Sequence, residues 1–357
     1  MQPAFYDPAL SYEENYQKGP PILQSSKKTP AKLSLKKQKH LGFEVNLPFG
    51  IPPGPLLNSK YMKAAFEWGF DVSTYKTVRA NEFPSHPFPN VLPVTINGDE
   101  LHPDKTPRVI ATQNYSADPT TFSITNSFGV PSRTAQEWQE DVKRSLTYVG
   151  DGQLMILSFM GTVRPDQTQD EFVDDFATAA RLSDETGTKV LEANLSCPNI
   201  GNEGLVCFNL DATEAVCKEI RNRIGDTPLI LKVGYYQSET DLARLAEVAS
   251  RYAQGIAAIN TLQVEVVNEK NEQALPGPNR MKSGICGAGI KWAGLEMTRK
   301  LAEIRSKNKY DFEIVGIGGV MTPADYFEYR EAGADSVQSA TGAMWNPLLA
   351  HQIAEKI

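Results

Sequence analysis

The sequence has few cysteines, few histidines and no long apolar run. Its four cysteines include no CxxC pair, and its four histidines are scattered without an HExxH motif. A disulfide framework and a zinc or iron–sulfur site are therefore not expected. No segment approaches the roughly 18 consecutive apolar residues of a membrane span, and the N-terminus lacks the apolar core of a signal peptide. We expect a cytoplasmic protein with no bound metal and no place in a membrane.

Positive charge is also scarce. The 36 lysines and arginines face 43 aspartates and glutamates, which gives a formal net charge of −7. An acidic chain is poorly suited to neutralise a phosphate backbone, so nucleic-acid binding is not expected. With 41% hydrophobic and 22% charged residues, the composition is that of a globular protein, and 357 residues suit one large α/β barrel or two medium domains.

Prolines are concentrated in the first third of the chain, where most of the 24 precede residue 132. Residues 1–42 combine prolines with a lysine-rich stretch at 27–39, and we treat them as an N-terminal arm. A basic arm that binds a partner or an anionic surface is one interpretation. A solvated tail that packs loosely on the main domain is the other, and we favour it because chain termini are commonly poorly tied down.

From about residue 43 to residue 357 the sequence repeats a short apolar run, a loop rich in Gly, Asn or Pro, and an amphipathic helix. The eight apolar runs are IPPGPLL (51–57), VSTYKTV (72–78), LMILSF (154–159), VLEANLS (190–196), LILKVG (229–234), IAAINTL (256–262), EIVGIGG (313–319) and ADSVQSA (334–340). Strands that are apolar throughout and alternate with helices predict a parallel sheet buried on both faces. Eight such units predict a (β/α)8 TIM barrel. A doubly wound open sheet is the alternative, but it rarely needs eight consecutive units.

Capping residues signal three helix starts. Asp211 opens an Asp-Ala-Thr-Glu sequence after the fourth apolar run, and Ser238 precedes an apolar helical stripe after the fifth. Thr322, after the seventh, is followed by a proline, which is favoured at the first helical position.

Two long segments interrupt the repeat, at 79–133 after the second apolar run and at 263–292 after the sixth. In a TIM barrel both would leave from the C-terminal ends of strands, which is the face that carries the active site. Long ordered loops at such a face are commonly functional. We expect the two insertions to build a cap over the mouth of the barrel.

Polar side chains stand near the ends of four predicted strands: Lys76, Asn194, Lys232 and Asn260. Any one of them could simply satisfy backbone groups at a strand end. Four at equivalent heights in a barrel would converge on one volume, and this convergence favours a binding site.

Glycine-rich loops follow the seventh and eighth predicted strands, with Gly318-Gly319 in one and Ala340-Thr341-Gly342 in the other. These are the two loops that form the recurrent phosphate site of TIM barrels. The sequence therefore predicts a cofactor that carries a phosphate group.

The segment NLSCPN (194–199) places a cysteine, Cys197, directly after the fourth predicted strand. A buried cysteine is commonly an inert small hydrophobe. On a polar loop over a binding site, a thiol with an ordinary pKa of about 8.5 is a candidate base or nucleophile. Since no histidine adjoins it in sequence, proton abstraction is the better fit.

Seven strings carry a resemblance to a known family. They occur in family order over most of the chain and are NSFGVP (126–131), NLSCPN (194–199), LILKVG (229–234), AAINT (257–261), SGICGAGIKW (283–292), VGIGGV (315–320) and VQSATGAM (337–344). From about Phe43 onward the chain resembles the dihydroorotate dehydrogenases, specifically their soluble class 1 branch. That branch has cysteine where the membrane-associated branch has serine.

The resemblance implies FMN-dependent oxidation of dihydroorotate to orotate in pyrimidine biosynthesis. Cys197 would remove the proton from C5 while hydride leaves C6 for N5 of FMN. The residues implied for substrate binding are Lys76, Asn126, Phe128, Gly129, Val130, Asn194, Asn199, Asn260 and Thr261. Those implied for FMN binding are Lys76, Thr77, Asn194, Lys232, Asn260, Gly284, Gly318, Gly319, Ala340 and Thr341. In place of the usual Ala-Ser-Gly beside the flavin, this chain has Pro52-Pro53-Gly54.

The resemblance also implies a homodimer, with electrons passing to fumarate or, through a second subunit, to NAD. Two other functions remain as alternatives. One is a flavin reaction on another pyrimidine, as in the FMN domain of dihydropyrimidine dehydrogenase, although this chain has no cysteine array for that enzyme's iron–sulfur clusters. The other is a barrel that has lost catalysis and serves in binding.

Overall fold

The computed structural model describes residues 3–25, 28–31, 33–196 and 206–357, so Cys197 and Asn199 lie outside the described residues. The strands are β1 (Gln38–His40), β2 (Phe43–Val45), β3 (Phe49–Gly50), β4 (Val72–Val78), β5 (Val91–Thr95), β6 (Arg108–Ala111), β7 (Ser123–Asn126), β8 (Leu154–Phe159), β9 (Val190–Asn194), β10 (Leu229–Val233), β11 (Gly255–Ala258), β12 (Leu262–Val267), β13 (Lys282–Gly287), β14 (Glu313–Ile317) and β15 (Ser336–Gln338). The helices are α1 (Tyr12–Lys18), α2 (Ser59–Glu67), α3 (Ala135–Leu146), α4 (Gln169–Asp184), α5 (Leu210–Ile224), α6 (Glu239–Tyr252), α7 (Lys291–Asn308), α8 (Pro323–Glu331), α9 (Thr341–Trp345) and α10 (Leu349–Ala354).

Eight parallel strands form the central sheet, in the order β3-β15-β14-β11-β10-β9-β8-β4. Among these eight strands, neighbours in the sheet also follow one another in the sequence, except that β3, the first of them, pairs with β15, the last. Between β3 and β4 the gap is bridged by backbone hydrogen bonds, because Thr74 donates to the carbonyl of Ile51 and Lys76 to that of Leu56. The predicted (β/α)8 TIM barrel is confirmed, and the open doubly wound sheet is excluded.

The first strand is shorter than the sequence predicts and lies earlier, at Phe49–Gly50 and not at 51–57. Prolines at 52, 53 and 55 explain the difference, because they carry no N–H to donate to a neighbouring strand. Carbonyl groups in this stretch still accept from β4, so it contributes to barrel closure without counting as a strand.

The lower half of the barrel is apolar, and the upper half is not. The apolar cluster inside it contains Leu41, Val45, Val72, Leu154, Ile156, Val190, Ile230, Ala257, Val315 and Ile317. In β9 and β10 the register aligns Ile230 with Glu192 and Lys232 with Asn194. Because successive side chains alternate between the two faces of a strand, Val190 and Ile230 in the apolar layer place Glu192, Asn194 and Lys232 on the inner face above them.

The two insertions pair with each other. Strands β5, β6 and β7 come from the first and β12 and β13 from the second, and together they form a closed five-stranded sheet in the order β12-β13-β7-β5-β6. In this sheet Asn126 lies opposite Gly284, and Val91 lies opposite Asn126.

The prediction of a loosely packed N-terminal tail is wrong for its first part. Phe5, Tyr6 and Tyr12 are buried in the main hydrophobic core. The amide of Ala4 donates to the carbonyl of Met344 at 2.6 Å, and the amide of Ile22 donates back to Ala4. Aromatic side chains give this segment enough apolar surface to dock, which its proline and lysine content does not convey.

Two of the three predicted helix starts are confirmed. Thr322 caps α8 in a capping box with Asp325, and Ser238 caps α6. The prediction at Asp211 is wrong, because the cap lies two residues earlier. Helix α5 begins at Leu210, and the side chain of Asn209 accepts from the amide of Ala212. Among the described residues, no helix is long and apolar enough to cross a membrane.

Candidate active site

A cavity with about 830 Å³ of empty space opens at the C-terminal ends of the barrel strands. Its walls include residues of the five-stranded sheet and of the N-terminal segment. Ten of the residues predicted from the sequence line it, namely Asn126, Phe128, Asn194, Lys232, Asn260, Thr261, Gly318, Gly319, Ala340 and Thr341. A concave site with apolar walls and a few polar side chains that converge on it is typical of small-molecule and cofactor sites.

Lys232 supplies positive charge to the wall. It is only 4% exposed, and burial lowers the pKa of its ammonium group, while the Glu192 carboxylate on the neighbouring strand acts in the opposite direction. Burial in turn raises the pKa of Glu192, and Lys232 opposes that shift. The two groups lie on the inner face of adjacent strands, so each lessens the cost of burying the other's charge.

Lys76 occupies the edge of the site and does not line the cavity itself. Its ammonium group donates to the carbonyl of Gly54 at 2.9 Å and lies 4.4 Å from the ring centroid of Phe128. The second distance fits a cation–π contact. Lys76 therefore fixes the ring of a lining residue and contributes positive charge behind it.

Two of the asparagines hold the start of the loop that contains Cys197. The side-chain oxygen of Asn194 accepts from the amide of Ser196 at 3.2 Å, and the side-chain amide of Asn260 donates to the carbonyl of Ser196 at 2.6 Å. Ser196 is the last described residue before Cys197. The residue that precedes the predicted base in the chain is thus held by two side chains.

Asn126 reaches the cavity from the five-stranded sheet. Its amide donates to the sulfur of Cys286 at 3.3 Å, and Cys286 also lines the cavity. Burial raises the pKa of the Cys286 thiol, with smaller opposing effects from Thr341 and Asn126. The sulfur is therefore a neutral neighbour that orients the Asn126 amide.

The loop from Ser127 to Val130 has an unusual backbone. Gly129 has φ 77° and Val130 has φ 52°, which is rare for a β-branched residue. A Cβ at position 129 would lie 2.6 Å from Cδ2 of His86, so only glycine fits there. Arg79 donates to the carbonyls of both residues. Gly129 and Val130 do not line the cavity, and Arg79 holds their carbonyls directly after Phe128 in the chain.

A buried arginine holds the other side of this loop. Arg280 is 2% exposed, and its guanidinium donates to the carbonyl and hydroxyl oxygens of Ser127 and to the carbonyls of Pro87, Pro89 and Pro276. Within the described ranges no carboxylate forms an ion pair with it. Burial lowers its pKa to about 10, so it is still cationic at neutral pH.

The end of the cavity near β14 and β15 is shaped for close approach to backbone. Gly318 has φ 127° and Gly319 has φ 65°, and a Cβ on Gly319 would lie 2.7 Å from the backbone nitrogen of Lys291. Helix α9 begins here, after the lining residue Ala340, which supplies no side-chain cap, although the amide of Ala343 in its first turn donates to the hydroxyl of Ser339. Uncapped amides at helix starts favour an anionic group such as a phosphate.

One further observation supports a ligand in this part of the cavity. The hydroxyl of Thr341 and the side-chain oxygen of Gln338 are buried without a hydrogen-bond partner in the part of the chain that the structure describes, and both residues line the cavity. Buried polar atoms normally have partners. The close backbone approach at Gly318 and Gly319, the start of α9 and these two unpartnered oxygens fit a polar cofactor that carries a phosphate.

Besides Lys76, Gly129 and Val130, two more predicted residues lie outside the cavity wall. The hydroxyl of Thr77 forms a hydrogen bond with that of Ser158 at 2.9 Å. Gly284 in β13 faces Thr261, because a Cβ there would lie 2.3 Å from its hydroxyl oxygen. Gly284 therefore allows the close approach of a lining residue, and it does not itself reach the cavity.

Sequence reasoning missed several residues of the site, among them Tyr6, Glu192 and Cys286. Glu192 had a signal, since it stands two residues before Asn194 in an apolar strand and must share its face. Cys286 lies within a family string, but the string does not indicate that its side chain faces the cavity. Tyr6 had no signal, because nothing in the sequence indicates that the N-terminal segment returns to the barrel mouth.

The fold and the cavity together define a (β/α)8-barrel enzyme with a cofactor and substrate site at the C-terminal ends of its strands. A sequence model of the family described as "Dihydroorotate dehydrogenase" matches residues 62–357. The chain belongs to the dihydroorotate dehydrogenase family, whose members generally depend on a flavin.

Named relatives agree with this assignment. The chain is 34% identical to "Dihydroorotate dehydrogenase" of Dictyostelium discoideum, over 97% of this chain and 95% of that protein. It is 30% identical to "Dihydroorotate dehydrogenase B (NAD(+)), catalytic subunit" of Alkaliphilus metalliredigens, over 52% and 59% of the two chains. It is 29% identical to "Dihydroorotate dehydrogenase A (fumarate)" of Lactobacillus delbrueckii subsp. bulgaricus, over 57% and 63%.

Substitution of Arg280 should destabilise the protein. Arg280→Met removes the donors of several buried carbonyls, and we expect the free energy of unfolding to fall by about 3 kcal/mol in urea denaturation. Arg280→Lys, which keeps the charge but not the five-donor geometry, should lie between Arg280→Met and the wild type. Arg108→Lys is the control, because that arginine lies on the five-stranded sheet, whose strands β12 and β13 flank Arg280 in the chain, and forms an exposed ion pair with Glu265. A wild-type unfolding midpoint for Arg280→Met would contradict the role.

Proposed function

We propose that this chain oxidises dihydroorotate to orotate with FMN as the bound flavin. One observation carries the proposal beyond family membership. A buried lysine, Lys232, and the amides of Asn126, Asn194 and Asn260 share one cavity with a phosphate-type cradle. A flat, anionic, amide-rich substrate needs amide donors and acceptors within a positive field, and this cavity has both.

FMN is held at its phosphate by the loops after β14 and β15. Gly318 and Gly319 bring backbone close to the phosphate, and Ala340 and Thr341 offer amides and a hydroxyl at the start of α9. Lys232 would lie beside the isoalloxazine ring, where its ammonium group would stabilise negative charge on the reduced flavin. When bound, the flavin supplies an acceptor for the hydride that leaves C6 of the substrate.

The substrate lies between the asparagines and the loop that contains Phe128. Asn126, Asn194, Asn199 and Asn260 form hydrogen bonds with the pyrimidine carbonyl and N–H groups, and Thr261 adds a hydroxyl. Lys76 and the backbone at Phe128 favour the carboxylate, and Gly129 and Val130 shape the loop that presents Phe128. The arginines behind this loop, Arg79 and Arg280, strengthen the positive field that a carboxylate requires.

Cys197 is the base. Its thiolate accepts the proton from C5 as the C6 hydride leaves, so that a double bond forms between C5 and C6. Asn194 and Asn260 both hold Ser196, and in this way they fix the start of the loop that carries the thiol. A base must lie within hydrogen-bond reach of the proton that it removes, so this anchoring serves catalysis directly.

The remaining parts of the proposal concern partners and setting. The protein acts in the cytoplasm as a homodimer. Its electrons pass to fumarate, or to NAD through a second subunit, and assays of the isolated chain with each acceptor distinguish these routes.

The proposed function is tested by flavin absorbance of the purified protein. We expect a yellow protein that releases FMN on denaturation and whose absorbance near 450 nm bleaches on anaerobic addition of dihydroorotate, with orotate formed in equal amount. Dihydrouracil, which lacks the carboxylate, is the matched control and should not bleach it. Bleaching by dihydrouracil alone would transfer the assignment to another pyrimidine.

Replacement of the base should slow the reaction in a pH-dependent manner. A serine hydroxyl is a far weaker acid than a thiol, so Cys197→Ser should reduce turnover at neutral pH by about 100-fold or more and move the remaining activity to higher pH. Cys217→Ser, which alters a buried thiol of α5 outside the cavity, should keep the wild-type pH profile. An unchanged rate at neutral pH in Cys197→Ser would refute the assignment.

Removal of the buried cation should affect the flavin more than the fold. We expect Lys232→Ala to slow flavin reduction by dihydroorotate about 100-fold, or to lose flavin on purification, because the reduced ring loses its counter-charge. Lys218→Ala, an exposed lysine of α5, serves as the control. Stopped-flow absorbance measures the rate, and full FMN content with a wild-type rate would discard the role of Lys232.

A further inference from the structure

The N-terminal segment contributes a side chain to the cavity wall. Tyr6 is 1% exposed and is one of the lining residues. Its ring packs edge-on against that of Phe128, with 5.2 Å between centroids and an interplanar angle of 78°. Tyr6 lies far upstream of residue 62, where the match to the family begins, so nothing in the family strings points to it.

The hydroxyl of Tyr6 has no hydrogen-bond partner among the residues that the structure describes. Asn15 lies nearby, but its side chain is already used on the backbone, since it accepts from the amide of Asp7 and donates to the carbonyls of Asp7, Leu10 and Ser11. Burying a hydroxyl without a partner costs about 1–3 kcal/mol. Phenylalanine would fill the same space without this cost.

The segment around Tyr6 is fixed in place. Hydrogen bonds from Ala4 to Met344, from Ile22 to Ala4 and from the Tyr61 hydroxyl to the carbonyl of Asn15 tie it to α9 and α2. Burial raises the pKa of Tyr6 well above its ordinary value, with a smaller opposing effect from Asn15, so the hydroxyl is protonated at any working pH. It is therefore available as a hydrogen-bond donor.

We propose that Tyr6 is a substrate-binding residue whose O–H donates a hydrogen bond to the pyrimidine held beside Phe128. This inference rests on the proposed function, because it assigns a further contact in the same substrate site. The contact with Phe128, in the loop proposed to bind the substrate, favours the substrate as acceptor over the phosphate end of the flavin. The N-terminal arm is then part of the binding site.

The test compares two hydroxyl deletions in the holoenzyme. Tyr6→Phe removes only the proposed donor. Tyr115→Phe is the matched control, because its hydroxyl is also buried without a partner in the described ranges, but Tyr115 does not line this cavity. Orotate dissociation constants are measured from the change in flavin absorbance on titration, together with FMN content and the melting temperature without orotate.

We expect Tyr6→Phe to raise the orotate dissociation constant about threefold to tenfold, the value of one hydrogen bond. Its melting temperature without orotate should stay the same or rise, because no hydrogen bond is lost in the free protein. Tyr115→Phe should leave the orotate dissociation constant unchanged.

Two results would overturn the inference alone. One is wild-type orotate affinity in Tyr6→Phe, and the other is loss of FMN with unchanged orotate affinity in the remaining holoenzyme, which would assign the hydroxyl to the flavin. If the wild-type holoenzyme itself does not bind orotate, the proposed function fails, whatever the two variants show.

Discussion

A cation buried at the top of a barrel strand is the constraint on which the site depends. The side chain of Lys232 is almost fully buried, and within the described residues no carboxylate lies at ion-pair distance from it. The apolar layer beneath it excludes water, and Glu192 offsets part of the cost from the neighbouring strand. An electron-rich occupant of the cavity lowers this cost further, so the barrel interior favours a ring that gains negative charge.

The surroundings of the cavity keep its parts in one geometry. Lys76 holds the ring of Phe128, Arg280 holds Ser127, and Arg79 holds the backbone of Gly129 and Val130 in a conformation that a β-branched residue seldom adopts. Asn194 and Asn260 do the same for Ser196. The dipoles of such a site are oriented before the reaction begins. Electrostatic stabilisation is most effective under this condition.

The sequence predicts the barrel because its signals are local. Eight apolar runs and their helices can be read within windows of a few residues, and the cap at Thr322 is a local motif. The error at Asp211 has a local cause too, since Asn209 supplies an equivalent acceptor two residues earlier. The polar residues at strand ends follow from alternation once the barrel is assumed, and for that reason Asn194, Lys232 and Asn260 could be predicted to line the cavity.

Features that depend on distant pairing could not be predicted in the same way. The burial of Tyr6 depends on its ring contact with Phe128 and on the hydrogen bond from Ala4 to Met344, and no pattern within residues 1–42 encodes those partners. The positions of Gly129, Val130 and Gly284 behind the wall depend on how the two insertions meet. Whether a glycine faces a ligand or a neighbouring side chain is decided by tertiary packing, as the approach of Thr261 to Gly284 illustrates.

The five-stranded sheet has a consequence for how the protein is made. Thr125 and Ser283, joined by a hydrogen bond across β7 and β13, are 158 positions apart in the chain. During synthesis β5, β6 and β7 leave the ribosome long before β12 and β13 are made. The strand edges that later pair with β12 and β13 therefore stay unpaired while the barrel is synthesised. One wall of the catalytic chamber is completed only after most of the polypeptide has emerged, and a nascent chain cut short before residue 282 has the residues of a partial barrel but no enclosed chamber.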